Sequence, residues 1–203
     1  MRILPSGSTA LLVELEDLDG VLGLYGALAL DPVPGVVDVI PAARTILLVT
    51  DPARTTLGEV ETAVRRLRPR PPRQDPAGEV ELPVRYDGPD LAEVAALWDV
   101  DPAEVVRRHT ATAWTVAFCG FAPGFGYCLP DGDPWHVPRR GTPRTAVPAN
   151  AVGLAGGFSG VYPRPSPGGW QLIGRTDVAV FDLDRDPAAL LRPGVRVRFV
   201  AAG

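Results

Sequence analysis

An arginine cluster is the first group of residues whose type and spacing could bind a ligand. The segment VPRRGTPRTAVP holds Arg139, Arg140 and Arg144 among three prolines. A guanidinium fork binds carboxylate or phosphate groups through two hydrogen bonds, so a pre-organised arginine cluster suits an anionic ligand. Internal pairing with Asp131, Asp133 or neighbouring acids is the alternative. The segment therefore predicts either an anion site or a set of internal ion pairs.

A glycine pair in the segment YPRPSPGGWQLIGRT is the second candidate anion site. The backbone N–H groups of Gly168 and Gly169 could face an anion. Side chains beside them complete the candidate set: Ser166, Trp170, Gln171, Arg175 and Thr176. Hydroxyl, amide and guanidinium groups are hydrogen-bond donors, so they would extend such a site. A hairpin of a β-barrel is the alternative.

A third segment, GFAPGFGY, interleaves glycines with aromatic residues directly after an apolar run. Glycine permits positive φ angles and close approach of a ligand, and aromatic rings can line an apolar pocket. The candidate residues are Pro123, Gly124, Phe125 and Tyr127. A tight structural turn with its aromatic rings in the core is the alternative.

Common catalytic signatures are absent from the sequence. The segment GFSGV lacks the last glycine of the G-x-S-x-G elbow, and His109 and His136 have no evident serine or carboxylate partner. Cys119 and Cys128 fit no CxxC pattern, so we expect buried thiols and no metal site. No phosphate-binding glycine loop is present, and all 20 basic residues are arginine, which excludes lysine chemistry.

The composition is that of a folded, loop-rich protein of 203 residues. Hydrophobic residues make up 46%, which is enough for a core, while 22 glycines and 23 prolines disfavour a helical bundle. The net charge of −4 argues against general nucleic-acid binding. The N-terminus has no apolar signal-peptide core, and the run over residues 21–30 is too short to span a bilayer. We therefore expect a cytoplasmic protein without membrane attachment.

Apolar periodicity predicts a small α+β domain at the N-terminus, ferredoxin-like in outline. It predicts a strand, a helix, two strands and a helix over residues 9–15, 20–30, 36–40, 45–50 and 57–67. The segment RRLRPRPPRQDP over residues 65–76 is rich in arginine and proline, which is typical of a stiff exposed linker. We therefore expect domains over residues 1–76 and 77–203.

The second domain is predicted to be a β-barrel that follows two short helices. A strand over residues 79–86 precedes a helix that begins at Pro89 and Asp90 and a helix capped by Asp101. The two helices have helix-turn-helix length, but the second carries only Arg107, Arg108 and His109 at one end and the chain is acidic, so DNA reading is not expected. Short β runs broken by glycine and proline follow: ATAWTVAFC, RTAVP, VGLAGG, GWQLIGRT, VAVFDL and VRVRFV. Such runs favour a closed or nearly closed barrel.

The order GFAPGFGY, VPRRGTPRTAVP, GVYPRPSPGGWQLIGRT and LLRPGVRVRFV resembles one known family. That family contains the B subunit of 5-oxoprolinase, the first subunit of allophanate hydrolase and the KipI inhibitor of a sporulation histidine kinase. The likeness covers residues 80–203, and the N-terminal pattern is compatible. This sequence departs from the family at Trp114, where tyrosine is expected, at Asn150, where glycine is usual, and in a shorter loop after Cys128.

The resemblance implies a cyclophilin-like barrel and a partner subunit. Family members pair with a homologous larger subunit, and in 5-oxoprolinase with a third, hydrolase subunit as well. That complex uses ATP to open 5-oxo-L-proline to L-glutamate. The alternatives are a kinase inhibitor like KipI and a hydrolase subunit for allophanate or a urea derivative. The resemblance assigns no catalytic residue to this chain.

We expect the three segments to meet at one site in the barrel. Within it, Arg144 and Arg175 are predicted to serve function more than folding, because each lies beside a threonine and a glycine or proline in a chain without lysine.

Overall fold

The computed structural model describes residues 1–70, 77–132 and 136–202 and divides the chain into two compact units, residues 1–75 and 76–203. The second half of the predicted arginine- and proline-rich linker, residues 71–76, and Asp133 among the predicted ion-pair partners lie outside the described residues. No helix in the described part of the chain is long and apolar enough to cross a bilayer. The predicted α+β class is confirmed.

Unit 1 is a four-stranded antiparallel sheet with two helices. Its elements are β1 (Arg2–Pro5), β2 (Ala10–Glu14), α1 (Leu18–Leu30), β3 (Val36–Pro41), β4 (Thr45–Thr50) and α2 (Leu57–Arg66). The strand order is β1-β2-β4-β3. Strand β1 precedes the predicted elements; at four residues, it is too short for periodicity to indicate it. It takes the sheet edge that the last strand of a βαββαβ unit fills in a ferredoxin-like fold.

Local signals define the helices of unit 1. Helix α2 begins with a capping box, in which Thr56 accepts from the Glu59 backbone and Glu59 accepts from the Thr56 backbone. Its apolar residues Val60 and Val64 lie one turn apart and are buried in the core of the unit. Helix α1 is capped by Asp17, whose side chain accepts from the Gly20 N–H at 2.8 Å. The two predicted helices are therefore confirmed to within two residues at their ends.

Unit 2 begins with a strand and two helices and continues as a β structure. The elements are β5 (Glu79–Val84), α3 (Leu91–Leu97), α4 (Pro102–Ala111), β6 (Trp114–Cys119), β7 (Gly126–Pro130), β8 (Arg144–Val147), β9 (Ala151–Ala155), β10 (Phe158–Val161), β11 (Ser166–Gly168), β12 (Gln171–Arg175) and β13 (Arg196–Ala201). Seven strands form one sheet in the order β12-β9-β10-β7-β6-β13-β5.

The two edges of this sheet meet just beyond the end of β5. Arg85 and Arg175 exchange two backbone hydrogen bonds of 2.8 and 2.9 Å, and the Gly88 N–H then donates to the Ile173 carbonyl. This contact leaves no room for side chains: a Cβ atom on Gly174 would lie 2.4 Å from the Arg85 carbonyl oxygen. The sheet is thus a nearly closed barrel, as predicted.

Three features of unit 2 bear on the sequence predictions. Asn150 has φ +62°, the left-handed region that glycine favours, which accounts for glycine being usual there in the resembling family. The predicted strand over residues 178–183 is wrong: Phe181 makes only an isolated bridge to Ala189. Helix α4 is confirmed with the predicted Asp101 cap and N1 proline.

Candidate functional site

The three glycine- and arginine-rich segments contact one another in unit 2. The Arg140 N–H donates to the Gly169 carbonyl at 2.8 Å, and Gly168 pairs with Arg144 between strands β11 and β8. The Phe125 ring packs edge-on against Trp170 at a centroid distance of 5.2 Å. Closure of the barrel thus brings together segments that lie up to about 50 residues apart in the chain.

A buried carboxylate, Asp90, lies at the centre of this meeting point. Arg144 donates to it through both terminal nitrogens, at 2.7 and 2.9 Å, and Arg140 donates at 2.7 Å. The Leu172 backbone N–H adds a fourth hydrogen bond of 2.7 Å. The Asp90 side chain is only 3% exposed. The internal pairing considered for these arginines is therefore present, but with a distant partner.

Of the partners considered from nearby sequence, Asp131 is wrong, and Asp133 lies outside the described residues. Asp131 accepts from the Thr115 hydroxyl at 3.4 Å and forms no ion pair with the arginine cluster. The sequence drew attention to Asp90 only through its position before helix α3, where an aspartate usually caps the helix. Its side chain makes no capping hydrogen bond and instead faces the arginines.

The arginines change the ionisation of Asp90. Burial alone would raise the pKa of the Asp90 carboxyl, but the hydrogen bonds from Arg144 and Leu172 and the charges of Arg144 and Arg140 hold the pKa below its usual value. In return, the hydrogen bond to Asp90 raises the pKa of Arg144. Asp90 is thus a carboxylate at neutral pH and supplies one negative charge that Arg140 and Arg144 share.

Most of the predicted donors in the glycine-pair segment have partners inside the chain. Gln171 is buried and donates to Glu93 Oε1 at 3.1 Å, and the Ser166 hydroxyl donates to the Arg164 carbonyl. Thr176 is buried, and its hydroxyl oxygen accepts from the Val178 N–H. Ser166 and Gln171 therefore use donors within the chain, and the shared donor set for an anion stays a prediction. Two buried atoms, Arg140 Nε and Gln171 Oε1, have no hydrogen-bond partner among the described residues.

Arg175 is placed differently, at a cavity of about 380 Å³. Its Nε and Nη2 atoms each lie 2.9 Å from Asp87 Oδ2, and the two side chains are 53% and 51% exposed. Arg144 also lines this cavity, together with the backbone of the barrel closure. The remaining walls are small and apolar: Gly88, Pro89, Ala146, Pro148, Ala149, Ala151, Leu172 and Gly174. The two arginines singled out by the sequence therefore share one cavity.

The aromatic segment forms part of the core, as its structural alternative predicted. Phe125 is buried, and Tyr127 stacks on Phe118 at a centroid distance of 4.4 Å. Gly124 has φ +81°, and a Cβ atom there would lie 2.5 Å from Phe181 Cβ. Pro123 is exposed at the turn. These residues support the barrel and do not line the cavity.

One edge of the aromatic cluster is exposed to solvent. Phe121 is 56% exposed and has φ +68°, a conformation that costs energy for any side chain. Its ring packs edge-on against Tyr162 at 6.0 Å. Arg139 is exposed nearby, where its charge lowers the pKa of Tyr127 and Tyr162 against the larger effect of burial. Within the described ranges, Arg139 has no carboxylate partner.

A buried histidine has partners that the sequence did not reveal. The His109 ring bonds to the Ser159 hydroxyl through Nε2 at 2.9 Å and to the Tyr86 hydroxyl through Nδ1 at 2.7 Å. Burial lowers the pKa of His109 to about 3 and raises that of Tyr86. His109 and Ser159 are both fully buried, so this serine–histidine pair is part of the core and is closed to substrate.

Two further sequence predictions concern the cysteines and a metal site. Cys128 is buried and Cys119 is partly buried, and burial raises the pKa of both thiols. Both are therefore thiols of low reactivity. Among the described residues, no group of three or more histidine, cysteine, aspartate or glutamate side chains could hold a metal ion.

Comparison with known proteins agrees with this architecture. Residues 1–191 match the carboxyltransferase domain, subdomain C and D. The chain is 40% identical to the B subunit of 5-oxoprolinase from Escherichia coli over 96% of this chain and 93% of that protein. The crystal structure of TTHA0988 superposes with a TM-score of 0.76 and 37% identity over 96% of this chain.

This chain spans only 40% of TTHA0988, so that protein contains a further large part. The urea amidolyase of K. lactis shares the fold, with a TM-score of 0.76 at 17% identity. The family match over most of the chain and the 40% identity to a full-length relative lead to one conclusion. The chain belongs to the carboxyltransferase-domain family, subdomains C and D, together with the B subunits of 5-oxoprolinase.

Proposed function

We propose that this chain is the B subunit of an ATP-dependent 5-oxoprolinase complex, which opens 5-oxo-L-proline to L-glutamate. The observation that supports this most is the 40% identity to a protein of that name along nearly the full length of both chains. We further propose that the chain acts in the cytoplasm with a homologous larger subunit and a third, hydrolase subunit. The additional 60% of TTHA0988 would correspond to such a larger subunit fused to this one.

The cavity beside Arg175 is the part of this chain that we assign to the substrate. The substrate 5-oxoproline and the product glutamate share an α-carboxylate, and a guanidinium binds such a group well. Arg175 is suited to this because its ion pair with Asp87 is half-exposed and therefore weak. The small apolar walls leave space for a compact ring. Arg175 would thus hold and orient the carboxylate while the lactam reacts.

ATP is proposed as a cosubstrate of the complex. When bound, it supplies a phosphoryl group that makes the lactam carbonyl easier to open. The described cavity does not fit a triphosphate: no lysine and no phosphate-binding glycine loop line it, Arg144 is bound to Asp90, and the Asp87 carboxylate would repel the phosphates. We therefore assign ATP to another subunit and route no step of its chemistry through this chain.

The experiment for the proposed function is reconstitution of the complex. The chain is combined with the larger subunit and the hydrolase subunit of a 5-oxoprolinase, and glutamate formation from 5-oxoproline and ATP is followed. We expect activity only when this chain is present. Equal activity without it would contradict the proposal. Turnover of allophanate in place of 5-oxoproline, or recovery of a histidine kinase instead of hydrolase subunits in a pull-down, would favour the alternatives.

A variant pair tests the role of Arg175 in that complex. A charge-assisted contact is worth about 1.5 to 3 kcal/mol, so Arg175→Gln should lower kcat/KM by about ten- to a hundredfold. Loss of the exposed ion pair itself should cost under about 1 kcal/mol of stability. Arg85→Gln is the matched control, since Arg85 is half-exposed, pairs with Asp177 and does not line the cavity. Full activity of Arg175→Gln would exclude Arg175 from substrate binding.

Arg144 needs a separate interpretation because it holds buried Asp90. Arg144→Gln would leave that carboxylate with one guanidinium fewer, so the folded state loses stability whether or not Arg144 touches substrate. Activity and melting temperature must therefore be measured together for this variant. Lost activity at a temperature where the variant is fully folded would support the predicted functional role of Arg144.

A further inference from the structure

The charges that remain available at the Arg175 cavity form one adjacent pair of opposite sign. Arg144 lines the cavity, but both of its terminal nitrogens are bound to Asp90. Asp87 and Arg175 lie together at the cavity, 2.9 Å apart and half-exposed. The other lining residues are uncharged. A ligand in this cavity therefore meets a cation and an anion side by side.

Both members of the pair have hydrogen-bonding capacity to spare. Arg175 uses Nε and Nη2 on Asp87, and its Nη1 has no partner among the residues that the structure describes. A carboxylate can accept about four hydrogen bonds, and within the same described ranges Asp87 accepts only from Arg175. A ligand could thus bind both side chains without breaking the ion pair between them.

This arrangement discriminates between classes of ligand. A simple anion can bind Arg175 but then lies close to the Asp87 carboxylate, which weakens its binding, and a simple cation on Asp87 is weakened in the same way by Arg175. A ligand with a carboxylate and an ammonium on one carbon can align antiparallel to the pair and meets opposite charge at both ends. The apolar walls, which include Ala146, Ala149 and Ala151, then face its side chain.

We propose that this cavity binds the zwitterionic head of a small α-amino acid. The inference rests on the proposed function for its biological meaning: the lactam nitrogen of 5-oxoproline carries no charge, and ring opening turns it into the ammonium group of glutamate. Asp87 therefore gains a cationic partner in the ligand only after the lactam ring has opened. The cavity therefore binds the opened product more tightly than the lactam.

A second ion pair beside a cavity, in unit 1, does not offer the same site. That cavity, of about 430 Å³, is lined by the pair of Arg2 and Glu14 together with Glu16 and Arg44. It thus has four charged side chains, and Arg2 is 68% exposed. Of these two cavities, the one in unit 2, where Arg175 lies, has the small apolar walls.

The test measures binding to the full-length chain by isothermal titration calorimetry. The ligands are L-alanine and its two fragments, propanoate and propylamine, followed by L-glutamate and 5-oxo-L-proline. We expect L-alanine to bind at least tenfold more tightly than either fragment, and L-glutamate at least tenfold more tightly than 5-oxoproline. Absence of amino-acid binding at millimolar concentration, or equal affinity for propanoate, would overturn the inference.

The variants show where in the chain the ligand binds. The ligand series on the unmodified chain tests the inference independently of them. Asp87→Asn and Arg175→Gln should each weaken L-alanine binding at least tenfold, whereas Asp177→Asn, which removes a neighbouring exposed ion pair outside the cavity, should not change it. Unchanged binding in Arg175→Gln would refute the site. If the reconstituted complex forms glutamate but the chain binds no amino acid, only this inference fails. If the chain binds amino acids but the complex is inactive, only the proposed function fails.

Discussion

Replacement of Asp90 by asparagine is the sharpest test of how the arginine segment is held. The amide side chain would keep an oxygen for the Leu172 N–H but would leave Arg140 and Arg144 without their shared counter-charge. Removing one partner of a buried ion pair costs about 3 to 5 kcal/mol. The Arg140 and Arg144 side chains are 28% and 22% exposed, so water compensates in part. We expect a loss of about 3 kcal/mol.

Equilibrium unfolding in urea and thermal unfolding measure this loss. For a chain of this size about 3 kcal/mol corresponds to a melting temperature lower by about 6 to 12 °C. Asp177→Asn is the matched control, because its ion pair with Arg85 is exposed at both ends and should be worth under about 1 kcal/mol.

The pH dependence provides an independent check with a defined sign. The pKa of Asp90 is lowered in the folded state, so its stabilising effect is complete above the unfolded value of about 3.9 and declines as the pH falls below it. The stability difference between wild type and Asp90→Asn should therefore shrink between about pH 4 and pH 2. A variant within about 1 kcal/mol of wild type at pH 7, or a difference that stays constant to pH 2, would refute the reasoning.

Three further changes test the barrel around the site. Gly124→Ala should lower the free energy of unfolding, measured in urea, by about 2 to 4 kcal/mol, because φ is +81° and the new Cβ would lie 2.5 Å from Phe181. The control Gly141→Ala, with open space around the new Cβ, should lower it by under about 1 kcal/mol. Equal losses in the two variants would contradict the argument. Phe121→Gly should be more stable than Phe121→Ala by about 1 kcal/mol, because only glycine adopts φ +68° without strain; the reverse order would show that the backbone there is relaxed. The free energy of unfolding of the wild type should fall by up to about 1.4 kcal/mol per pH unit from about pH 6.5 towards pH 3, because the unfolded state binds a proton at His109 and the folded state does not. His109→Gln should lose this contribution. An identical pH profile would show that His109 protonates in the folded state.

The sequence alone was sufficient for features that depend on neighbouring residues. Asp101, Pro102 and Glu104 predict the start of helix α4, because a cap, an N1 proline and a first-turn carboxylate act within one helical turn. Glycine and proline spacing likewise predicted a barrel in place of long helices. The three segments that meet in unit 2 were identified by composition, and the family by their order along the chain.

Tertiary structure alone decided which side chains interact. Asp90 lies 50 and 54 residues from its arginines, Ser159 lies 50 residues from His109, and Asp87 lies 88 residues from Arg175. No local rule relates such positions, because their distance depends on the register and closure of the barrel. The contact of β12 with the chain after β5 both buries Asp90 against the arginines and leaves Asp87 exposed beside Arg175. Asp90 and Asp87, three residues apart, therefore have different roles. Asp90 neutralises guanidinium charge in the interior, and Asp87 is available to a ligand at the cavity.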